Sequence, residues 1–222
     1  LPTEPKPPMN YKLVFSVHGL INEYIESCVK IRDGKIIHAD PMIEVEELEF
    51  PAPFGKLEAF NTSGGTSTLP KTYLGKVKNL DYKTIRYPGH CAQFKLLLDL
   101  GLTSSKPIQV GKNKIAPRDL LSVLLTEKLT MEGKDCVLVR VAVDGKKSGK
   151  SKSVQYQIID YGDEHVTAMM RLTSYPIAVI AQMMASGVIT QRGVVPQEVC
   201  VPADTFISEL WKRGIEISIQ SN

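Results

Sequence analysis

The chain has 222 residues, 43% of them hydrophobic and 23% charged, as expected of a soluble globular protein able to bury a sizeable core. Its net charge of +3 is dispersed, and the one dense basic run, Lys146 to Lys152, is interrupted by Gly149 and serines. A nucleic-acid partner is therefore not expected, because phosphate binding needs a contiguous basic face. No apolar run approaches the roughly 20 residues that span a bilayer, so no membrane partner is expected either.

The first segment carries Pro2, Pro5, Pro7 and Pro8, which favour an extended backbone. It has no apolar core of the kind a signal peptide needs, and a chain that opens on Leu1 is expected to be part of a longer one. Tyr11 to Val17 is apolar and β-branched. Ser16 is a suitable N-cap for a helix with Leu20, Ile21, Tyr24 and Ile25 on one face. Cys28–Arg32 and Lys35–His38 alternate around Asp33-Gly34, a strong hairpin signal. Leu48–Phe50 and Lys56–Asn61 read as short strands, separated by Pro51, Pro53 and Gly55.

Thr62 to Thr68 contains only Ser, Thr and Gly and reads as a loop. Asp81–Arg86 reads as a strand closed by Tyr87-Pro88-Gly89-His90. A helix follows, with Phe94, Leu97, Leu98 and Leu100 as its stripe and Gly101 as its stop. Pro117 opens the next helix, through Leu120, Val123, Leu124 and Leu125. Asp135–Asp144 and Val154–Tyr161 form a long hairpin across the basic turn. Ile177–Met184 is almost wholly apolar and reads as a buried helix ending at Gly187. Ala203–Arg213 is an amphipathic helix stopped by Gly214, and Ile215–Ile219 a last strand. Together these describe an α+β domain around a mixed, mostly antiparallel sheet with flanking helices.

Cys28, Cys91, Cys136 and Cys200 lie far apart without a C-x-x-C pair, so neither a metal set nor a disulfide framework is expected, and the cytoplasm is the expected location. Gly145 to Ser151 has one residue too few between its glycines for a P-loop, and it falls in a hairpin. No G-x-G-x-x-G follows a strand, so a complete dinucleotide fold is not encoded here. Gly64-Gly65 suits either a tight turn or a close approach to a ligand. The densest cluster is Arg86-Tyr87-Pro88-Gly89-His90, where an Arg fork and an imidazole at a helix start suit a carboxylate. The alternative is an Arg86 paired with Asp81 or Glu23 and a His90 that only caps. His18 and Asn22 are four apart on one helix face, suited to line a pocket or to meet solvent. His38 and His165 read as surface residues, and Trp211 as a core or interface anchor.

Four stretches resemble the C-terminal region of the saccharopine dehydrogenase family: Asn10 to Tyr24, Ala59 to Pro70, Tyr82 to His90, and Tyr175-Pro176 with Gly193 to Pro196. The resemblance implies the second domain of a dehydrogenase whose Rossmann domain is absent, with residues 1–186 forming the substrate and dimerisation domain. Residues 187–222 are then a tail packing toward the chain's own N-terminal nucleotide-binding domain. It further implies a homodimer, and hydride transfer between NAD or NADP, held by that other domain, and a carbon bearing an amino group. The substrate is an amino acid or adduct such as lysine or saccharopine. Arg86 would hold a substrate carboxylate, with His90 and Asn22 completing hydrogen bonds, Thr62 closing the pocket and His18 standing where some relatives carry Arg. A non-catalytic amino-acid sensor or dimerisation module, and a carboxynorspermidine-type reductase, are the alternatives.

Overall fold

The structure, a computed structural model, describes residues 1–221. The chain divides into two compact units between Gly133 and Lys134, not at residue 186.

In the first unit, α1 (Val17–Ile25) starts where Ser16 Oγ accepts from Gly19 N and buries Leu20, Ile21 and Tyr24. The preceding residues 11–16 form no strand. β1 (Cys28–Arg32) and β2 (Lys35–Ala39) make the expected hairpin. β3 (Glu46–Phe50), β4 (Gly55–Asn61) and β5 (Lys83–Arg86) form an antiparallel sheet, with the short α2 (Leu69–Tyr73) after the loop that follows β4. Its register sets Glu58 opposite Arg86 and Phe60 opposite Thr84, so these four side chains share one face. α3 (His90–Asp99), a small hairpin of β6 (Ile108–Val110) and β7 (Asn113–Ile115), and α4 (Pro117–Leu129) complete the unit.

The core joins Tyr11, Leu20, Tyr24, Phe60, Phe94 and Leu125. Of the stripe expected on α4 only Leu125 is buried, and the inward face is rotated from the one the pattern suggests. Leu121, Leu125 and Leu129 are buried, whereas Leu120, Val123 and Leu124 are 50%, 63% and 45% exposed. Two leucine stripes overlap on this helix, and periodicity alone does not choose between them. The bond from Leu13 N to Leu129 O ties the buried stripe's end to the core.

In the second unit, β8 (Cys136–Lys147) and β9 (Lys150–Tyr161) pair along their full length, and β10 (Ser218–Ser221) adds to the far edge of β9. α5 (Ala168–Ala185) begins nine residues before the expected Ile177, capped by Thr167 and by Asp135, whose carboxylate accepts from Ala168 N and Met169 N at 2.8 and 3.0 Å. It buries only one stripe, Val179 and Met183, and leaves Ile177 66% exposed. The short α6 (Gln197–Cys200) precedes α7 (Ala203–Trp211). Leu210 and Ile215 join Val179 and Met183 in one cluster, so the segment after residue 186 is packed into this unit. Trp211 is half exposed and anchors no core here. The α+β class holds, with every strand pairing among the described residues antiparallel and the strands divided among four small sheets.

Candidate functional site

Four pieces of the first unit converge: the C-terminal end of α1, the loop after β4, the end of β5 and the start of α3. The loop is fastened by Ser63 N to Glu23 O at 2.9 Å and by Thr66 Oγ1 to Val29 O at 2.8 Å. Gly65 lies against the Tyr82 ring so closely that an added Cβ would stand 2.1 Å from it. The glycine pair therefore accommodates the chain's own tyrosine.

β5 ends at Arg86, and the chain turns through Gly89, at φ +89°, into α3. No residue of the turn caps this helix. Glu58 does so from β4, accepting from Gly89 N at 2.9 Å and from Cys91 N at 2.6 Å. Burial, with Glu58 beside it, pushes the Cys91 thiol up to about 11. His90 is thereby fixed in the core with no exposed surface.

Arg86 is half-buried. Its Nε donates to Tyr24 Oη at 2.9 Å and its Nη1 to Ile85 O at 2.9 Å. The guanidinium carbon lies 4.9 Å from the Tyr11 ring centre and 5.9 Å from that of Tyr24. Among the described residues Arg86 forms no ion pair. Asp81, one of its expected alternative partners, binds Arg32 at 2.6 Å. Glu23, the other, is not within ion-pair reach; burial raises its pKa, and the positive charge of Arg86 works against that rise.

His90 Nε2 is 3.0 Å from Tyr24 Oη, and Nδ1 is 3.0 Å from Met9 O. Burial, reinforced by the charge of Arg86, lowers its pKa to about 3. Both ring nitrogens are engaged inside the protein, where the expected reading had one completing a hydrogen bond to a ligand. Thr62 is buried, 2.8 Å from Thr84 Oγ1, and Thr84 donates to Tyr82 Oη at 3.4 Å.

Two expected residues are placed differently. Asn22 Oδ1 accepts from Arg118 Nη2 at 2.6 Å, and the same nitrogen reaches His18 O at 3.2 Å. The His18 side chain is exposed on a shallow groove with Val17, Ser122, Val123 and Thr126. Neither makes a described contact with Arg86, Tyr24 or His90. His38 and His165 are exposed, as expected.

Tyr24, Tyr11 and Glu58 were not singled out in the sequence as site residues. Tyr24 lies on the apolar stripe of α1 and reads as core, yet a buried hydroxyl needs a partner, and that requirement was the available signal. No group of three or more His, Cys, Asp or Glu among the described residues could hold a metal, and no described helix is long and apolar enough to cross a membrane.

The fold is similar to that of a saccharopine dehydrogenase (L-Glu forming) from Saccharomyces cerevisiae, in its apo, histidine-tagged form, with a TM-score of 0.76 at 20% sequence identity. The match covers 100% of this chain and 64% of that one, so this chain spans somewhat less than two thirds of its length. The model of the saccharopine dehydrogenase C-terminal domain matches residues 1–215. With nearly its whole length matched, the chain belongs to the saccharopine dehydrogenase C-terminal domain family.

Proposed function

We propose that this chain is the substrate-binding part of an NAD(P)-dependent oxidoreductase acting on the CH–NH group of an amino acid or its adduct, such as lysine or saccharopine, and that Arg86 holds a substrate carboxylate. The observation that carries the reading is a half-buried guanidinium with no carboxylate of its own. The acid opposite it in the ladder, Glu58, spends both oxygens on the start of α3. A desolvated arginine left unpaired in this way is suited to a planar anion supplied by a ligand.

The nicotinamide would accept or deliver the hydride. The described residues offer no parallel βαβ crossover to cradle a dinucleotide, so no contact to it is assigned within them. What the described residues contribute is binding and orientation: Arg86 fixes the carboxylate end, while Tyr11 and Tyr24 border it with aromatic surface.

The test is an assay of the full-length gene product for reduction of NAD and NADP with lysine and saccharopine in parallel. Arg86→Ala should raise the amino-acid KM by about 10- to 100-fold, the loss expected for hydrogen bonds to a charged group. An unchanged KM in that variant removes Arg86 from the reading. Absence of turnover with either compound would move the proposal to another amino-acid substrate or to a non-catalytic sensor.

A further inference from the structure

We infer that Tyr24 is the positioning residue of this site: its hydroxyl aims the Arg86 guanidinium at the ligand, and His90 is its neutral anchor. The inference rests on Arg86 being the carboxylate grip proposed above.

Met9 O can only accept, so His90 Nδ1, 3.0 Å away, carries the ring proton. In a neutral imidazole the other nitrogen is then an acceptor. Tyr24 must therefore donate its hydroxyl proton to His90 Nε2, also at 3.0 Å. That leaves only lone pairs on Tyr24 Oη for the Nε–H of Arg86, 2.9 Å away. Each bond in the series Met9, His90, Tyr24, Arg86 has one possible direction, and each direction fixes the next.

The Tyr24 ring is itself held. It meets Phe94 edge to face at 4.6 Å and 88°, and Phe60 at 5.6 Å and 68°. Its oxygen is thus set by packing on one side and by a buried imidazole on the other. Of the five N–H groups on Arg86, one goes to Tyr24 and one to Ile85 O, which leaves three on the two terminal nitrogens. A protonated His90 would reverse the bond to Tyr24 and set a second positive charge behind Arg86. Its burial among Tyr11, Tyr24, Phe60 and Phe94 opposes that state.

Tyr24→Phe keeps the ring and its packing and removes only the hydroxyl. In the full-length enzyme it should raise the amino-acid KM about tenfold, with kcat and the nucleotide KM within about twofold of wild type, because one charge-assisted contact is lost from binding alone. Arg86→Ala is the reference. If Arg86→Ala raises KM and Tyr24→Phe does not, the positioning role is overturned while the carboxylate reading survives. If neither variant moves KM, the carboxylate reading fails and this inference falls with it. A kcat loss without a KM change would also overturn it. Should Tyr24→Phe not fold, nitrogen NMR of wild-type protein labelled in histidine decides. The expected result is a His90 protonated on Nδ1 alone from pH 5 to 8; a proton on Nε2 refutes the relay.

Discussion

Removing the Glu58 carboxylate should destabilise the start of α3 by about 3 kcal/mol. The side chain accepts two backbone bonds there, at 2.9 and 2.6 Å, from a helix whose N-cap, Gly89, has no side chain to do so. Hydrogen bonds to a charged group contribute about 1.5–3 kcal/mol each, and a negative charge at a helix N-terminus adds roughly 0.3–1 kcal/mol. The two bonds are not equivalent. Cys91 is buried, so its N–H would be left without a partner in Glu58→Ala, whereas Gly89 is partly exposed and its N–H can turn to water. Counting one bond in full and the other lightly gives the figure of about 3 kcal/mol. Glu58→Gln keeps a neutral acceptor and should lose about half as much. Because the chain has two units, one global transition is not a safe readout; hydrogen exchange of the α3 amides, Cys91 foremost, measures the local loss. Protection in Glu58→Ala within about 0.5 kcal/mol of wild type would refute the capping argument.

Acid should destabilise the first unit through His90. Its folded pKa is depressed to about 3, whereas the unfolded chain takes up the proton near the ordinary value of about 6.5. Stability is therefore fully present above about pH 6.5 and is lost as the pH falls toward 3, by about 2.7 kcal/mol at pH 4.5. The check is an NMR titration, in which the His90 signal stays flat from pH 7 to 4.5 in the folded protein; an inflection near 6.5 contradicts it. Gly65→Ala should displace Tyr82, since the new methyl would overlap its ring, at a cost of about 1–3 kcal/mol. Thermal melting and the Tyr82 ring resonances report this, and unchanged ring shifts would show that the ring does not rest on Gly65.

The local grammar of the chain was legible wherever one signal stood alone. Ser16 starts α1, Asp33-Gly34 turns the first hairpin, and Gly89 ends the turn into α3. It failed where signals overlapped. α4 carries leucines on adjacent stripes, and the buried one is chosen by partners distant in sequence, including the segment around Leu13. α5 is apolar along most of its length, so the pattern marked its second half and missed a start set by Thr167 and Asp135. For the site, Arg86 and His90 stood out because they flank a Pro-Gly turn. Their hydrogen-bond partners did not, because Tyr24 lies 62 residues from Arg86 and Met9 lies 81 residues from His90 in sequence.

Glu58 and Asp135 are helix caps that the local sequence does not show. Each caps a helix from a distant part of the chain, 33 residues before Cys91 in one case and 33 before Ala168 in the other. Rules for helix N-termini look for Ser, Thr, Asp or Asn within the same turn, so a carboxylate brought in by the fold escapes them. The register β4 imposes sets an acid opposite Arg86, where a cross-strand ion pair would be the ordinary outcome. Because α3 draws that acid to its own backbone, Arg86 is left with Tyr24 and without a cross-strand carboxylate, the condition on which the proposed carboxylate grip depends. On that proposal the helix cap and the unpaired cation are one device: a change that freed Glu58 from α3 would supply Arg86 with an internal partner and should weaken carboxylate binding.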